Sequence, residues 1–196
     1  MAPDSLPQPL RVALTFAGVL ERLGVGHVAT GSLASSVHGE PRSTDDIDFV
    51  ADLRRTHVGP LLRALAADWY VSAEAVGDAV AHGTSFNAIH LATAVKVDVF
   101  VVGDDRFDAE RVASGRRVRI LQEQAADLTV DTAEHIVLRK LEWFRRGGET
   151  SDRQWRDVLG VLRAQGDRLD AGTLTRWAGQ LGISDLLERA QRDAQG

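Results

Sequence analysis

A change of pattern near residue 131 constrains the fold of this chain more than any other feature. Before it, apolar runs with the two-residue period of strands alternate with runs at helical spacing. After it, helical spacing alone recurs, over residues 132–146, 152–164, 171–181 and 185–193. This order predicts an α/β (α+β) fold followed by a C-terminal helical subdomain. We expect a flexible tail at 1–9, an α/β domain at 10–130 and the helical subdomain at 131–196.

Local patterns predict the individual elements of the α/β part. Strand patterns fall at residues 27–30, 46–51, 69–71, 85–92, 95–102 and 116–121. Helical patterns fall at residues 10–23, 33–38, 56–67 and 73–81. Gly31 and Ser32 separate the first strand from the helix that follows it, so the local order is strand, Gly-Ser turn, helix.

Composition narrows the chemistry that the chain can perform. It has no cysteine, which excludes disulfides, thiolate zinc sites and a cysteine nucleophile, and this suits the cytoplasm, where we expect the protein to be. The formal net charge of -5 excludes a polycation that coats nucleic acid, so any nucleic-acid contact has to be a local patch. Its uncharged runs fall far short of the roughly 20 apolar residues that span a bilayer, so we expect no membrane contact.

The most informative stretch is the acidic strand at residues 46–51. Because side chains alternate faces along a strand, Asp46 and Asp48 project to one side while Ile47 and Phe49 point into the core. Two carboxylates so close repel each other unless a cation lies between them. Mg²⁺ takes oxygen ligands and keeps positions open for substrate phosphates, so the pair predicts a magnesium site. The alternative is a solvated acidic turn.

Two further features favour the metal site over that alternative. Gly31 and Ser32 stand where a strand ends and a helix starts, and free N–H groups there favour a phosphate; the alternative is that Ser32 is an ordinary helix cap. Asp98 is an acid in an otherwise apolar strand, and a buried acid requires a partner. We interpret it as a third metal carboxylate; the alternative is an internal ion pair with Lys96, two residues earlier on the same face.

The two lysines are a separate signal. Among 23 basic side chains, only Lys96 and Lys140 are not arginine, and a compact ammonium suits a tight site beside a phosphate better than a planar guanidinium does. The alternative is chance retention. Lys140 shares a helix face with Ile136 and Phe144, so its charge has to reach a polar pocket. Either it contacts a phosphate there or it forms an ion pair, with Asp157 as a candidate partner.

The helical part offers two hypotheses about nucleic acid. A local basic patch could form from Arg139, Arg145, Arg146 and Arg153, although the region as a whole has no net basic face. Trp143, Trp155 and Trp177 fall at helix-packing positions, and we expect them in the core or at a seam between helices rather than on a base-stacking surface.

Three motifs together resemble the nucleotidyltransferase fold of the polymerase-beta type. They are Gly31-Ser32, the run R-x-T-x-D-I-D-F at residues 42–49 and Asp98 on a later strand. The closer likeness is to the AbiEii-like branch, linked to abortive infection and toxin-antitoxin systems, because HGEPRSTDDIDFV at residues 38–50 is similar to that branch's version of the motif. One departure is His38, where those proteins often have an aromatic residue. The resemblance covers residues 10–165.

This resemblance implies a nucleotidyltransferase-type mixed sheet flanked by helices, with residues 10–130 as the catalytic domain. It implies that Asp46, Asp48 and Asp98 bind the catalytic Mg²⁺ or Mn²⁺ ions and that Asp98 also draws the proton from the nucleophile. Gly31 and Ser32 are then expected to hold the nucleoside triphosphate.

Four further residues are expected in nucleotide binding. Lys140 resembles a lysine of the AbiEii-like proteins that follows the catalytic sheet, and by that likeness it contacts phosphate and acts in catalysis. Arg42 and Lys96 are candidate phosphate contacts. Asp157 belongs to a stretch with Asp152 and Arg153 that resembles a further polar motif of the branch.

The implied reaction is attack by an acceptor hydroxyl on the α-phosphate of a nucleoside triphosphate, with pyrophosphate leaving. By analogy the acceptor is a tRNA 3′ end, the protein is a toxin and a cognate antitoxin protein is its partner. Two alternatives stay open. One is a small-molecule nucleotidyltransferase of the antibiotic-modifying type, and the other is a non-catalytic member that binds a nucleotide or a partner.

Overall fold

The computed structural model describes residues 6–40, 46–121 and 126–195. The chain divides into two compact units, one of residues 1–30 and 44–131 and the other of residues 31–43 and 132–196. We call them the sheet unit and the helical unit. The division after residue 131 lies one residue beyond the predicted boundary, and residues 31–43 group with the C-terminal helices rather than with the α/β domain.

The sheet unit contains a mixed seven-stranded sheet, which confirms the predicted fold class. Its strands are β1 His27–Thr30, β2 Ile47–Ala51, β3 Trp69–Val71, β4 Ser85–His90, β5 Lys96–Val101, β6 Arg116–Leu121 and β7 Ala126–Val130. The strand order is β3-β4-β5-β2-β1-β7-β6. The β2–β5 and β1–β7 pairs are parallel, and the remaining pairs are antiparallel.

Four helices of the sheet unit pack against the sheet. They are α1 Gln8–Arg22, α3 Arg55–Leu65, α4 Ala73–His82 and α5 Arg106–Ser114, with α2 falling in the other unit. The Phe16 ring of α1 lies 5.6 Å from Phe49 of β2 and 5.2 Å from Trp69 of β3. Phe16 and Phe49 are fully buried, so this aromatic cluster helps to fix which face of β2 points inward.

The helical unit consists of α2 Gly31–His38, α6 Ala133–Arg146, α7 Asp152–Gln165, α8 Ala171–Leu181 and α9 Ser184–Gln195. Each of the last four begins within two residues of its predicted start. Side-chain oxygens of Thr132, Ser151 and Asp170 accept hydrogen bonds from the first turns of α6, α7 and α8, which is why these helices begin where they do. Gly39 is required after α2, because a Cβ there would lie 2.9 Å from the Val161 backbone nitrogen.

The tryptophans of the helical unit are not all in the core. Trp177 is 5% exposed, as expected, and Trp155 packs its ring 5.1 Å from Phe144. Trp143, however, is 44% exposed, so it does not lie in the core. The fully buried residues of α6 include Val137, Leu138 and Leu141, and position 143 falls outside the stripe that they form.

Two elements of the sheet unit were not predicted from the sequence, and a third, helix α1, begins earlier than predicted. Helix α5 and strand β7 were not predicted. Helix α1 begins at Gln8, inside the segment 1–9 that was expected to be a flexible tail, and Leu6 before it is 9% exposed. Residues 1–5 lie outside the described residues. Within the described residues, none of the helices has the length and apolar character needed to cross a membrane.

A buried charge network explains why α5 was missed. Arg111 of α5 is 3% exposed and Asp131, directly after β7, is 0% exposed. The guanidinium donates to Asp131 Oδ2 from Nε at 2.9 Å and from Nη2 at 2.5 Å, and Nη2 also lies 2.5 Å from Thr30 Oγ1. Burial acts to lower the pKa of Arg111, but the charge and hydrogen bonds of Asp131, with Asp108, outweigh it and raise that pKa. An inward-facing arginine interrupts the apolar stripe that marks a helix in a sequence.

We expect Arg111→Met to lower the free energy of unfolding by about 3–5 kcal/mol, because it leaves the buried Asp131 carboxylate without its counter-ion. The exposed Arg54–Asp52 pair is a control, with side chains 72% and 41% exposed. There, Arg54→Met should change the stability far less, because solvent screens an exposed ion pair. Urea denaturation of both variants measures the difference; equal losses would contradict a structural role for the buried network.

Candidate active site

A row of polar residues crosses four neighbouring strands on one face of the sheet. Thr30 of β1 pairs with Asp48 of β2, Asp48 pairs with Asp98 of β5, and Asp98 pairs with Asn87 of β4. Residues directly opposite each other in adjacent strands point to the same face, at a strand spacing of about 4.8 Å. The register therefore places the Asp48 and Asp98 carboxylates side by side.

A second row runs parallel to the first, two residues along the strands and therefore on the same face. Lys96 of β5 pairs with Ile89 of β4, and Ile89 pairs with Tyr70 of β3. Asp46 immediately precedes β2, and the next residue, Ile47, pairs with Val97. Asp46 is therefore level with Lys96. The far end of this row is open to solvent, since Tyr70 is 63% exposed.

The opposite face of these strands is the hydrophobic core, as the alternation of the sequence predicted. Ile47 and Phe49 are fully buried, and so are Val97 and Val99 of the neighbouring strand. Asp48 is only partly buried, and Asp46 is exposed. The predicted orientation of the acidic strand is confirmed, because a shift of one residue would place carboxylates where these apolar side chains lie.

Lys96 lies against the acidic cluster. Its Nζ is 2.7 Å from Asp98 Oδ2, with the two side chains 42% and 25% exposed. The hydrogen bond to Asp98 raises the pKa of Lys96, against the opposing effect of burial, and the negative charges of Asp98, Asp46 and Asp48 raise that pKa as well. The internal ion pair that the sequence left open as an alternative is thus present.

The donor chemistry of this cluster fits a divalent cation such as Mg²⁺ or Mn²⁺. Asp46, Asp48 and Asp98 offer carboxylate oxygens, which are the ligands that Mg²⁺ takes in proteins. The cluster already attracts one positive group, the Lys96 ammonium. Within the described residues, no three histidine, aspartate or glutamate side chains are gathered closely enough to hold a metal ion.

The predicted phosphate-binding residues lie mostly in the helical unit. Gly31 has a φ of +61°, a left-handed conformation that favours glycine, and this lets the chain turn directly from β1 into α2. It follows Thr30, the register partner of Asp48. Arg42 lies outside the described residues. Phosphate binding by Gly31, Ser32 and Arg42 stays a prediction.

Lys140 and Asp157 form an ion pair within the helical unit. Lys140 Nζ on α6 donates to Asp157 Oδ2 on α7 at 2.8 Å, and the two side chains are 12% and 10% exposed. The ion pair considered from the sequence is therefore present. A role for both residues toward a nucleotide stays a prediction.

Sequence analysis missed some polar residues of these networks. Asn87 went unnoticed because its place beside Asp98 depends on the β4–β5 register. Arg111 and Asp131 were missed because their contact joins residues 20 positions apart. The sequence does contain a signal for Asp131, because an acid that directly follows an apolar strand residue is expected to need a buried partner. Asp98, which lies between two valines, was recognised by the same signal.

Comparison with known proteins shows the fold. No family model matches the chain, and no curated protein sequence matches it significantly. Among solved structures, an antigenic nucleotidyltransferase-like protein from Paracoccidioides brasiliensis is similar, with a TM-score of 0.57 and 15% identity over 94% of this chain and 92% of that chain.

The antibiotic-resistance factor ANT(2")-Ia is similar as well. In complex with adenylyl-2"-tobramycin it has a TM-score of 0.59 and 9% identity, over 89% of this chain and 99% of that chain. Its solution structure has a TM-score of 0.52 and 12% identity, over 95% and 100%. The chain thus has a nucleotidyltransferase-type fold, as the resemblance implied.

We expect Lys140→Met and Asp157→Asn each to lower the free energy of unfolding by about 3 kcal/mol or more, because each removes the oppositely charged partner of a largely buried group. The double variant Lys140→Met/Asp157→Leu should recover most of the loss, since a buried ion pair can be replaced by apolar residues at little cost. Chemical denaturation measures all three. A single Lys140→Met variant as stable as the native protein would contradict this structural role.

Proposed function

We propose that this chain is a metal-dependent nucleotidyltransferase that moves a nucleoside monophosphate from a nucleoside triphosphate to an acceptor hydroxyl. The observation that carries the proposal is the parallel register of β2 and β5, which sets Asp48 beside Asp98 on one face of a nucleotidyltransferase-type sheet. Adjacent carboxylates on one sheet face are unfavourable without a cation, and the single charge of Lys96 offsets only part of three carboxylate charges, which supports a divalent cation there.

The proposed reaction balances as a displacement at phosphorus. The acceptor oxygen forms a bond to the α-phosphorus, the bond from that phosphorus to the bridging oxygen breaks, and pyrophosphate leaves. The acceptor's proton passes to the Asp98 carboxylate, which acts as the general base. Asp46, Asp48 and Asp98 would hold Mg²⁺ or Mn²⁺, which when bound neutralises charge on the phosphate oxygens.

Gly31, Ser32 and Lys140 are the residues from which we expect triphosphate binding, by the resemblance of the motifs. Backbone N–H groups at Gly31 and Ser32 open α2, and the first N–H groups of a helix favour an anion. Lys140 supplies a positive charge, with Asp157 fixing the position of its ammonium. The role of Arg42 rests on the motif alone.

One candidate acceptor is RNA. The likeness of residues 38–50 to the AbiEii-like branch favours a toxin that acts on tRNA 3′ ends, restrained by a cognate antitoxin protein. An exposed aromatic is available for such an acceptor, because Trp143 is 44% exposed and the Arg146 guanidinium lies 6.0 Å from its ring centroid.

A small hydroxylated molecule is the second candidate, and a specific observation favours it. Two of the arginines expected to contribute to a basic patch have acidic partners. Arg145 Nη2 lies 2.6 Å from Asp185 Oδ2, and Arg146 Nη2 lies 2.6 Å from Glu142 Oε1. Pairing of this kind reduces the charge available to a polyanion. ANT(2")-Ia, whose complex contains an adenylylated tobramycin, supports the same candidate.

We expect Mn²⁺ with ATP to raise the melting temperature, and Asp48→Asn or Asp98→Asn to abolish both that rise and the transfer of labelled nucleotide. A ligand present at 100 times its Kd adds about 2.7 kcal/mol of stability, which a thermal melt resolves. Asp78→Asn, which changes an exposed acid on α4, is the control and should keep both. Full stabilisation and activity in the Asp48 and Asp98 variants would exclude these carboxylates from the site.

The acceptor is identified by incubating the protein with each labelled nucleoside triphosphate, Mg²⁺, and either total RNA or an aminoglycoside, and then resolving the products. If RNA is the acceptor, Arg146→Gln should weaken RNA binding and reduce the slope of log affinity against log salt by about 1. Arg192→Gln removes the same charge from α9 and should leave the slope unchanged. Transfer to the aminoglycoside alone would exclude RNA.

A further inference from the structure

Lys96 is the residue whose role the proposed reaction leaves open. It lies two residues before Asp98 on the same strand and the same face, so its flexible stem brings Nζ to 2.7 Å from Asp98 Oδ2. It is also level with Asp46, across the β2–β5 pair. One ammonium thus lies beside the carboxylates that are assigned to the metal.

Electrostatics require some cation at this position. Three carboxylates project from two adjacent strands, and their mutual repulsion disfavours the register that brings them together. The Lys96 ammonium offsets that repulsion in the protein without a metal. A divalent cation carries twice the charge and requires the same oxygens, so the ammonium and the metal compete for Asp98.

The pairing geometry suits a group that can move away. Lys96 is 42% exposed, and its ammonium is a compact charge on a stem of four methylene groups, free to swing toward solvent. An arginine here would offer a planar fork that binds a carboxylate through two hydrogen bonds and is harder to displace. This explains why a chain with 23 basic side chains, only two of them lysine, has lysine at this position.

We propose that Lys96 is an internal counter-ion that holds the Asp46, Asp48 and Asp98 carboxylates in register in the metal-free protein and yields Asp98 when a divalent cation binds, so that it sets the affinity for the metal. This rests on the proposed function, since it assumes that these carboxylates bind the metal. It gives Lys96 a positioning role, in place of the phosphate contact considered from the sequence.

The test measures Mn²⁺ binding without nucleotide, by titration calorimetry, on the full chain. We expect Lys96→Met to bind Mn²⁺ at least tenfold more tightly than the native protein, because the competing charge is gone, and Lys96→Arg to bind it more weakly. Arg54→Met changes the net charge equally at the far end of β2 and should leave the affinity unchanged. Lys96→Gln serves in place of Lys96→Met if the methionine variant does not fold.

A second readout separates this role from a structural one. Without metal, Lys96→Met should melt at a lower temperature than the native protein, because the carboxylates lose their counter-ion. With saturating Mn²⁺, it should recover to the native value or above. A melting temperature that stays low in Mn²⁺ would overturn the proposal.

Other outcomes overturn the proposal in distinguishable ways. If native protein binds Mn²⁺ and Asp98→Asn does not, but Lys96→Met binds with unchanged or lower affinity, the counter-ion role is wrong and the proposed function stands. If Lys96→Met loses affinity for ATP while its affinity for Mn²⁺ alone is unchanged, Lys96 binds phosphate instead. If neither the native protein nor any variant binds Mn²⁺, the proposed metal site is wrong and so is the counter-ion role.

Discussion

The parallel pairing of β2 with β5 is the constraint on which the candidate site depends. Alternating apolar residues bury one face of both strands, and a slip of one residue would exchange that face with the carboxylates. Hydrophobic burial thus forces Asp48 and Asp98 together although their charges repel. The residual repulsion creates the demand for a cation, which connects the packing of the core to the chemistry of the opposite face.

Much of this arrangement could be predicted because it depends on local period. The acidic strand, the inward direction of Ile47 and Phe49 and the succession of C-terminal helices follow from spacing alone. The elements that escaped prediction are those in which a buried polar contact replaces an apolar one. Helix α5 turns Arg111 inward, and the short strand β7, although its ADLTV run alternates as a strand does, leads directly into the buried Asp131.

Pairings between residues that are distant in the sequence were the other feature that could not be predicted. The sequence offered Lys96 and Asp157 as partners for nearby charges but left open whether they pair, because that choice depends on the strand register and on how α6 packs against α7. Asn87 shows the same limit, since nothing in its own segment marks it as a neighbour of Asp98. Tertiary contacts of this kind follow from the packing of whole elements rather than from local periodicity.

The contact of Arg111 with both Thr30 and Asp131 also bears on how such proteins can be recombined. These two residues are the last of the sheet unit before the chain passes into the helical unit, at residue 31 and again at residue 132. The Arg111 guanidinium thus binds both residues at which the chain leaves the sheet unit, and all of its partners named above lie within that unit. A chimera that takes its helices from another protein at these two junctions keeps the contacts of Arg111 with Thr30 and Asp131. A chimera joined inside α5 or β7 takes the contacting residues from two different parent proteins.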